Sequence, residues 1–162
     1  MSPESPADPP APYRHALRVY WEDTDAGGVV FYANYLKFFE RARTEWLRSL
    51  GVAQQGLRER SGAIFVVTDT RVSYRAPARL DDELQVTVQL QRHGAASMRV
   101  QQQAWRASTL LAEGEIRIGC VDQQSLRPRR MPAEVIAALA RSGSPPGGDL
   151  GAKPIELQPG PT

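Results

Sequence analysis

From Tyr13 to Trp21 the chain alternates. Tyr13, His15, Leu17, Val19 and Trp21 fall on one side, Arg14 and Arg18 on the other. A period of two predicts a strand with one buried face. The alternation stops at Glu22-Asp23-Thr24-Asp25-Ala26-Gly27-Gly28, a run of turn formers closed by two glycines. Beyond it the period changes. Tyr35, Phe38, Phe39, Ala42, Trp46, Leu47 and Leu50 keep an i, i+3, i+4, i+7 spacing, with Lys37, Arg41, Glu45 and Arg48 opposite. That is an amphipathic helix with an aromatic face. Asn34 is placed to cap its start, and Gly51 to end it in the left-handed conformation. Residues 53–61 read as a short polar helix or a loop. Four strand-like runs follow: Ile64–Arg75, Glu83–Arg92, Ser97–Arg106 and Leu110–Val121. His93-Gly94 and Ala107-Ser108 supply the turns, so the last three runs form an antiparallel meander. A final helix fits Pro132–Arg141, with Ser142-Gly143 beyond its end.

The order β-α-β-β-β-β predicts a two-layer α+β domain of five strands, with the one long helix packed on one face of the sheet. Such a sheet has two edges, and exposed edges invite pairing. A symmetric dimer joining two sheets would cover them.

Proline changes the picture at the ends. Of 13 prolines, five lie within residues 1–12 and five within 143–162. Proline without aromatic or β-branched neighbours buries too little surface to offset the entropy of ordering. The expected organisation is a domain over 13–142 between two disordered tails, 1–12 and 143–162. The tails hold Glu4, Asp8, Asp149 and Glu156 against Lys153, so nineteen basic and fourteen acidic residues, a net +5, fall in the core. That excess suits anions of modest size rather than nucleic acid. No stretch reaches the roughly 18 apolar residues of a membrane span, and no secretory signal opens the chain. A lone cysteine, Cys120, and two distant histidines, His15 and His93, make neither a disulfide nor a metal site. A cytoplasmic protein is expected. Cys120 alternates with Ile116 and Ile118 and reads as core.

The candidate chemistry lies in the acidic glycine loop. A helix N-terminus presents unpaired N–H groups and about half a positive charge, which suits an oxyanion. A carboxylate nearby, with Gly27 and Gly28 permitting close backbone approach, is a minimal kit for hydrolysing an acyl group. Asp25 would attack the carbonyl or activate water, and each oxyanion donor would be worth about 3–4 kcal/mol. On composition alone, Asp- and Gly-rich segments before helices are usually turns and caps with no catalytic role. Glu40, two turns into the helix, is placed to orient Asp25 or the water, or to form a surface ion pair. Arg127, Arg129 and Arg130 suit phosphate binding or a solvated basic loop.

The stretch Arg18-Val-Tyr-Trp-Glu-Asp-Thr-Asp25-Ala-Gly-Gly28-Val-Val-Phe-Tyr-Ala-Asn34-Tyr35 resembles the signature of hotdog-fold acyl-CoA thioesterases of the 4-hydroxybenzoyl-CoA thioesterase type. Phe39-Glu-Arg-Ala-Arg-Thr-Glu45 and Ala76-Pro-Ala-Arg-Leu-Asp-Asp82 resemble the bacterial Tol-Pal-associated branch in particular. The resemblance spans roughly residues 15–135 of the sequence. It implies a hotdog fold, in which a five-stranded antiparallel sheet wraps one long central helix, dimers or tetramers with active sites at subunit interfaces, and hydrolysis of an acyl-CoA to free acid and CoA. It places the catalytic aspartate on Asp25 and the oxyanion donors on the backbone around Phe31 and Tyr32, and implies no cofactor. Tyr32 stands where the Tol-Pal branch commonly has histidine. Tyrosine, with a pKa of about 10, is no base near neutral pH, so its hydroxyl is left to donate a hydrogen bond to substrate or Asp25. Two other readings are an acyl carrier protein as acyl donor, and a non-catalytic acyl-binding or scaffold protein of the Tol-Pal cell-envelope machinery.

Overall fold

Alternating strands and one aromatic helix need each other, because each has a single apolar face to bury. In the computed structural model, which describes residues 11–142, they pack together as the periodicities predict. The strands are β1 (Tyr13–Arg18), β2 (Ala63–Tyr74), β3 (Glu83–His93), β4 (Ser97–Arg106) and β5 (Thr109–Asp122). The helices are α1 (Asn34–Ser49), α2 (Gln54–Ser61) and α3 (Ala133–Arg141). One antiparallel sheet runs in the order β1-β3-β4-β5-β2. β3, β4 and β5 form the expected meander, and β1 and β2 are its edges. Apart from residues 11 and 12, the proline-rich tails lie outside the described residues. Among the described residues no helix is long and apolar enough to cross a membrane.

The inner face carries Leu84, Val86, Val88 and Leu90 from β3, Met98, Val100 and Ala104 from β4, and Ile116, Ile118 and Cys120 from β5, all buried. Against them α1 sets Tyr35, Phe38, Phe39, Ala42, Trp46 and Leu47. Each fully buried Phe stabilises the fold by about 2–3 kcal/mol. The sheet must approach α1 closely, and Gly114 allows it: a Cβ there would lie 3.3 Å from the Phe39 ring and 3.1 Å from the Arg71 carbonyl. A polar residue is also fixed in this layer. Gln102, fully buried, donates from Nε2 to the carbonyls of Phe39 (3.0 Å) and Thr87 (3.3 Å), and its Oε1 accepts from Arg43 Nη1 (2.9 Å). These bonds fix the rotation of α1 over the sheet, because a buried amide needs its partners.

Two local expectations change. Trp21 does not continue the buried face of β1. Sheet pairing ends at Arg18 opposite Glu83, the chain turns into a short 3-10 segment (Trp21–Asp23), and Trp21 is 79% exposed. Asn34 is not the cap of α1 but its first residue. Ala33 occupies the cap position, and the Asn34 amide is spent elsewhere. Gly51 ends the helix as expected, at φ +90°. Cys120 is core, its thiol pushed up by burial. His93 is buried beside the β3–β4 turn, and His15 lies on the half-buried face of β1.

Candidate active site

The acidic loop joins β1 to α1, and one carboxylate holds it shut. Asp23 is buried. Its Oδ2 accepts the Tyr20 N–H (2.8 Å), its Oδ1 accepts Asn34 Nδ2 (2.9 Å), and its carbonyl accepts the Phe31 N–H (3.1 Å). Both arms of the loop and the first residue of α1 therefore meet on Asp23. Thr24 pairs with Val30, and the Asp25 N–H donates to the Val29 carbonyl (2.9 Å), so residues 23–31 form a small hairpin. Its tip needs both glycines. Gly28 lies at φ +76°, a region that disfavours any side chain. Gly27 donates its N–H to Asp25 Oδ1 (2.8 Å), and a Cβ there would stand 3.1 Å from that oxygen.

Asp25 is exposed at this tip. One of its oxygens is held by Gly27; the other meets no donor among the described residues. The Phe31 N–H is spent on Asp23, whereas the Tyr32 N–H, just before α1, donates to nothing among the described residues. The hairpin thus carries an available carboxylate oxygen on one arm and an available backbone donor at the end of the other. Tyr32 is 64% exposed, its ring 4.7 Å from that of Phe31 and edge-on to Tyr74 at 6.3 Å. The Tyr74 hydroxyl donates to the Tyr32 carbonyl (2.9 Å), which fixes the peptide at the mouth of α1. Burial, reinforced by Tyr32, pushes the Tyr74 hydroxyl up and keeps it a donor. Sequence reasoning missed Asp23 and Tyr74 as individuals, because both roles depend on contacts far along the chain.

The block Ala76–Asp82 braces the loop from the other side. The Val30 N–H donates to the Ala78 carbonyl (2.8 Å), and Val29 pairs with Arg79. The Ala78 N–H donates to the Tyr35 hydroxyl (3.2 Å). Burial opposes the charge of Asp82, but hydrogen bonds from the Arg79 N–H (2.9 Å) and Arg106 Nη1 (2.9 Å) outweigh it and hold the carboxyl below its usual range.

Glu40 is exposed on α1 and makes no hydrogen bond to Asp25. It lies on the rim of a cavity of about 250 Å³ between α1 and β2, with Arg43, Leu47, Phe65, Met98 and Ile118 among its walls. Arg127, Arg129 and Arg130 follow β5 at the end of the sheet remote from Asp25. Arg129 is tied to the Ser61 carbonyl (2.6 Å); Arg127 and Arg130 are exposed. Among the described residues no cluster of three or more His, Cys, Asp or Glu side chains is placed to hold a metal ion.

A five-stranded antiparallel sheet wrapped round one helix, with an acidic glycine hairpin at the helix mouth, is the architecture of hotdog thioesterases. The chain belongs to this group: residues 19–139 match the family described as the thioesterase-like superfamily. It is 43% identical over 123 residues to the acyl-CoA thioesterase YbgC of Haemophilus influenzae, covering 76% of this chain and 90% of that protein. It is 44% identical over 126 residues to the acyl-CoA thioester hydrolase YbgC of Escherichia coli O157:H7, covering 77% and 93%. A probable thioesterase from Bartonella henselae, of known crystal structure, superposes with a TM-score of 0.71 at 32% identity, covering 75% of this chain and all of that one.

Proposed function

We propose that this protein hydrolyses acyl-CoA thioesters to free acid and CoA, with Asp25 as the catalytic carboxylate and the Tyr32 N–H as an oxyanion donor. The observation that carries the assignment is the hairpin itself. It holds an Asp25 oxygen and a Tyr32 N–H, both unpaired among the described residues, in one hydrogen-bonded unit. Asp25 takes a proton from water as the water oxygen attacks the thioester carbon, or attacks that carbon itself. Negative charge then gathers on the carbonyl oxygen, where the N–H and the α1 dipole stabilise it. Collapse of this intermediate breaks the C–S bond, and the thiolate of CoA leaves. Under the nucleophilic route, water then cleaves the acyl-aspartyl anhydride. The Tyr32 hydroxyl serves as a hydrogen-bond donor to substrate and takes no proton. Glu40, on the rim of the cavity beside α1, helps orient the acyl group or the water.

The same reading makes the active unit a dimer. β2 is a long edge strand, exposed from Val67 to Arg71. Antiparallel pairing of two copies about Thr70 sets each Asp69 opposite the other copy's Arg71, so the edge is complementary to itself. It also brings the remote end of one sheet beside the Asp25 end of the other. Arg127 and Arg130 of the second copy are thereby the groups offered to the CoA phosphates, by bidentate hydrogen bonds. Two such dimers would make a tetramer. The acyl donor in this reading is CoA rather than acyl carrier protein, and the compartment is the cytoplasm, in keeping with one buried, unpaired cysteine. Purified protein is tested on short, long and aromatic acyl-CoAs with a free-thiol readout, beside the same chains on carrier protein. Turnover of at least one acyl-CoA is expected. No thiol release across the panel overturns the assignment in favour of a binding or scaffold role.

A further inference from the structure

Arg43 forms no ion pair among the described residues, although Glu40 lies one turn back on the same helix. The Arg43 side chain turns inward to meet Gln102 on β4. Nη1 donates to Gln102 Oε1; among the described residues it makes no other hydrogen bond and no ion pair. Burial pushes the guanidinium below its ordinary value, and Glu40 only partly offsets this through space. None of its nitrogens is sealed away unsatisfied. Its remaining donors are therefore reachable, and the residue lines a cavity of mixed walls, with Glu40, Thr44 and Gln54 beside Trp46, Leu47 and Phe65. A half-buried guanidinium that faces a cavity with donors left over is suited to take up an anion there.

We propose that Arg43 makes this cavity a subsite for acyl chains ending in a carboxylate, so that the preferred substrates are ω-carboxyacyl-CoAs of medium length. The proposal rests on the hydrolase assignment above and names its substrate class. The length follows from the helix. Arg43 lies nine residues beyond Asn34, the first residue of α1, roughly 14 Å along the axis, and the oxyanion donor Tyr32 stands two residues before that start. The arginine side chain leans back toward the helix N-terminus and shortens that span. The cavity begins at Glu40, two turns into α1, so it is the far end of a chain whose thioester sits at the helix mouth that would enter it and meet the guanidinium. Glu40 is exposed on the rim, where solvent screens its charge. The planar fork of Arg43 is the group suited to a carboxylate.

The test compares suberyl-CoA with octanoyl-CoA, equal in chain length and different only at the far end. The wild type is expected to favour suberyl-CoA by at least about tenfold in kcat/KM, the order of a charge-assisted hydrogen bond. In Arg43→Gln that ratio falls to about one, through a raised KM for suberyl-CoA, and Arg43→Lys recovers part of it. Equal use of both substrates by the wild type overturns the proposal, as does an equal loss on both in Arg43→Gln. Conversion of the dimer to monomer with selectivity unchanged also overturns it, since the missing anion is then on the second copy. If neither thioester is hydrolysed, calorimetry with free suberate and free octanoate decides. Suberate binding that is lost in Arg43→Gln supports the subsite even as the hydrolase reading fails; no suberate binding removes it.

Discussion

Asp23 and Asp25 are two residues apart and chemically identical, yet replacing each by asparagine should have opposite consequences. Asp23 is buried and accepts one hydrogen bond on each oxygen, from the Tyr20 N–H and from Asn34 Nδ2. Asparagine keeps one acceptor and turns an NH2 group toward one of those two donors. The change removes a hydrogen bond to a charged group and leaves a buried donor unpaired, which together cost about 3 kcal/mol. For a folded core of this size that is a fall in Tm of about 10 °C. Asp25 is exposed, and asparagine there can still accept from Gly27 through its carbonyl oxygen, so stability should move by no more than about 0.5 kcal/mol. The assay is urea unfolding of both variants beside the wild type. Asp23→Asn should lower the midpoint at an unchanged slope, while Asp25→Asn should overlie the wild type. If Asp23→Asn unfolds within about 0.5 kcal/mol of the wild type, the loop is not held by Asp23 and the division between brace and catalyst fails.

Tyr74→Phe removes only the hydroxyl that donates to the Tyr32 carbonyl; stability should fall by about 1 kcal/mol, and kcat should fall more than KM rises, read from steady-state hydrolysis. Gly28→Ala places a methyl group at φ +76° and should destabilise by about 1 kcal/mol or more, with loss of activity at temperatures where the fold persists. Asp82 has a depressed carboxyl value in the folded protein, so its contribution is present above the unfolded value near pH 4 and lost as pH falls through the folded one. The stability gap between wild type and Asp82→Asn, measured by urea midpoint, should therefore be open at pH 7 and narrow on acidification toward pH 3. A gap that widens in acid would contradict the ion pair with Arg106.

The parts of the fold legible in the sequence are those that repeat. α1 emerges from seven apolar positions at helical spacing, and β3 to β5 from alternation broken by short turns, because burial on one face imposes a period. Trp21 departs from the pattern because the period of β1 runs on in the residues after the chain has left the sheet at Arg18. Asn34 departs from expectation for a related reason. Local rules offer its amide to the helix start, but a carboxylate eleven residues earlier takes it. The loop was legible as a place for chemistry; the roles within it were not. Asp23 and Asp25 look equivalent until Asn34 and Tyr20 single one out. Tyr74 acts across 42 residues and Arg43 meets its partner across 59, and no local pattern foretells contacts of that range.

The central claim is that the carboxylate of Asp25 does the chemistry and the rest of the hairpin holds it in place. It is tested most directly by steady-state hydrolysis of the best acyl-CoA by Asp25→Asn, beside its unfolding curve. The account predicts an unfolding midpoint equal to that of the wild type and kcat lowered on the order of a thousandfold or more. A folded variant that keeps kcat within about tenfold of the wild type would contradict it.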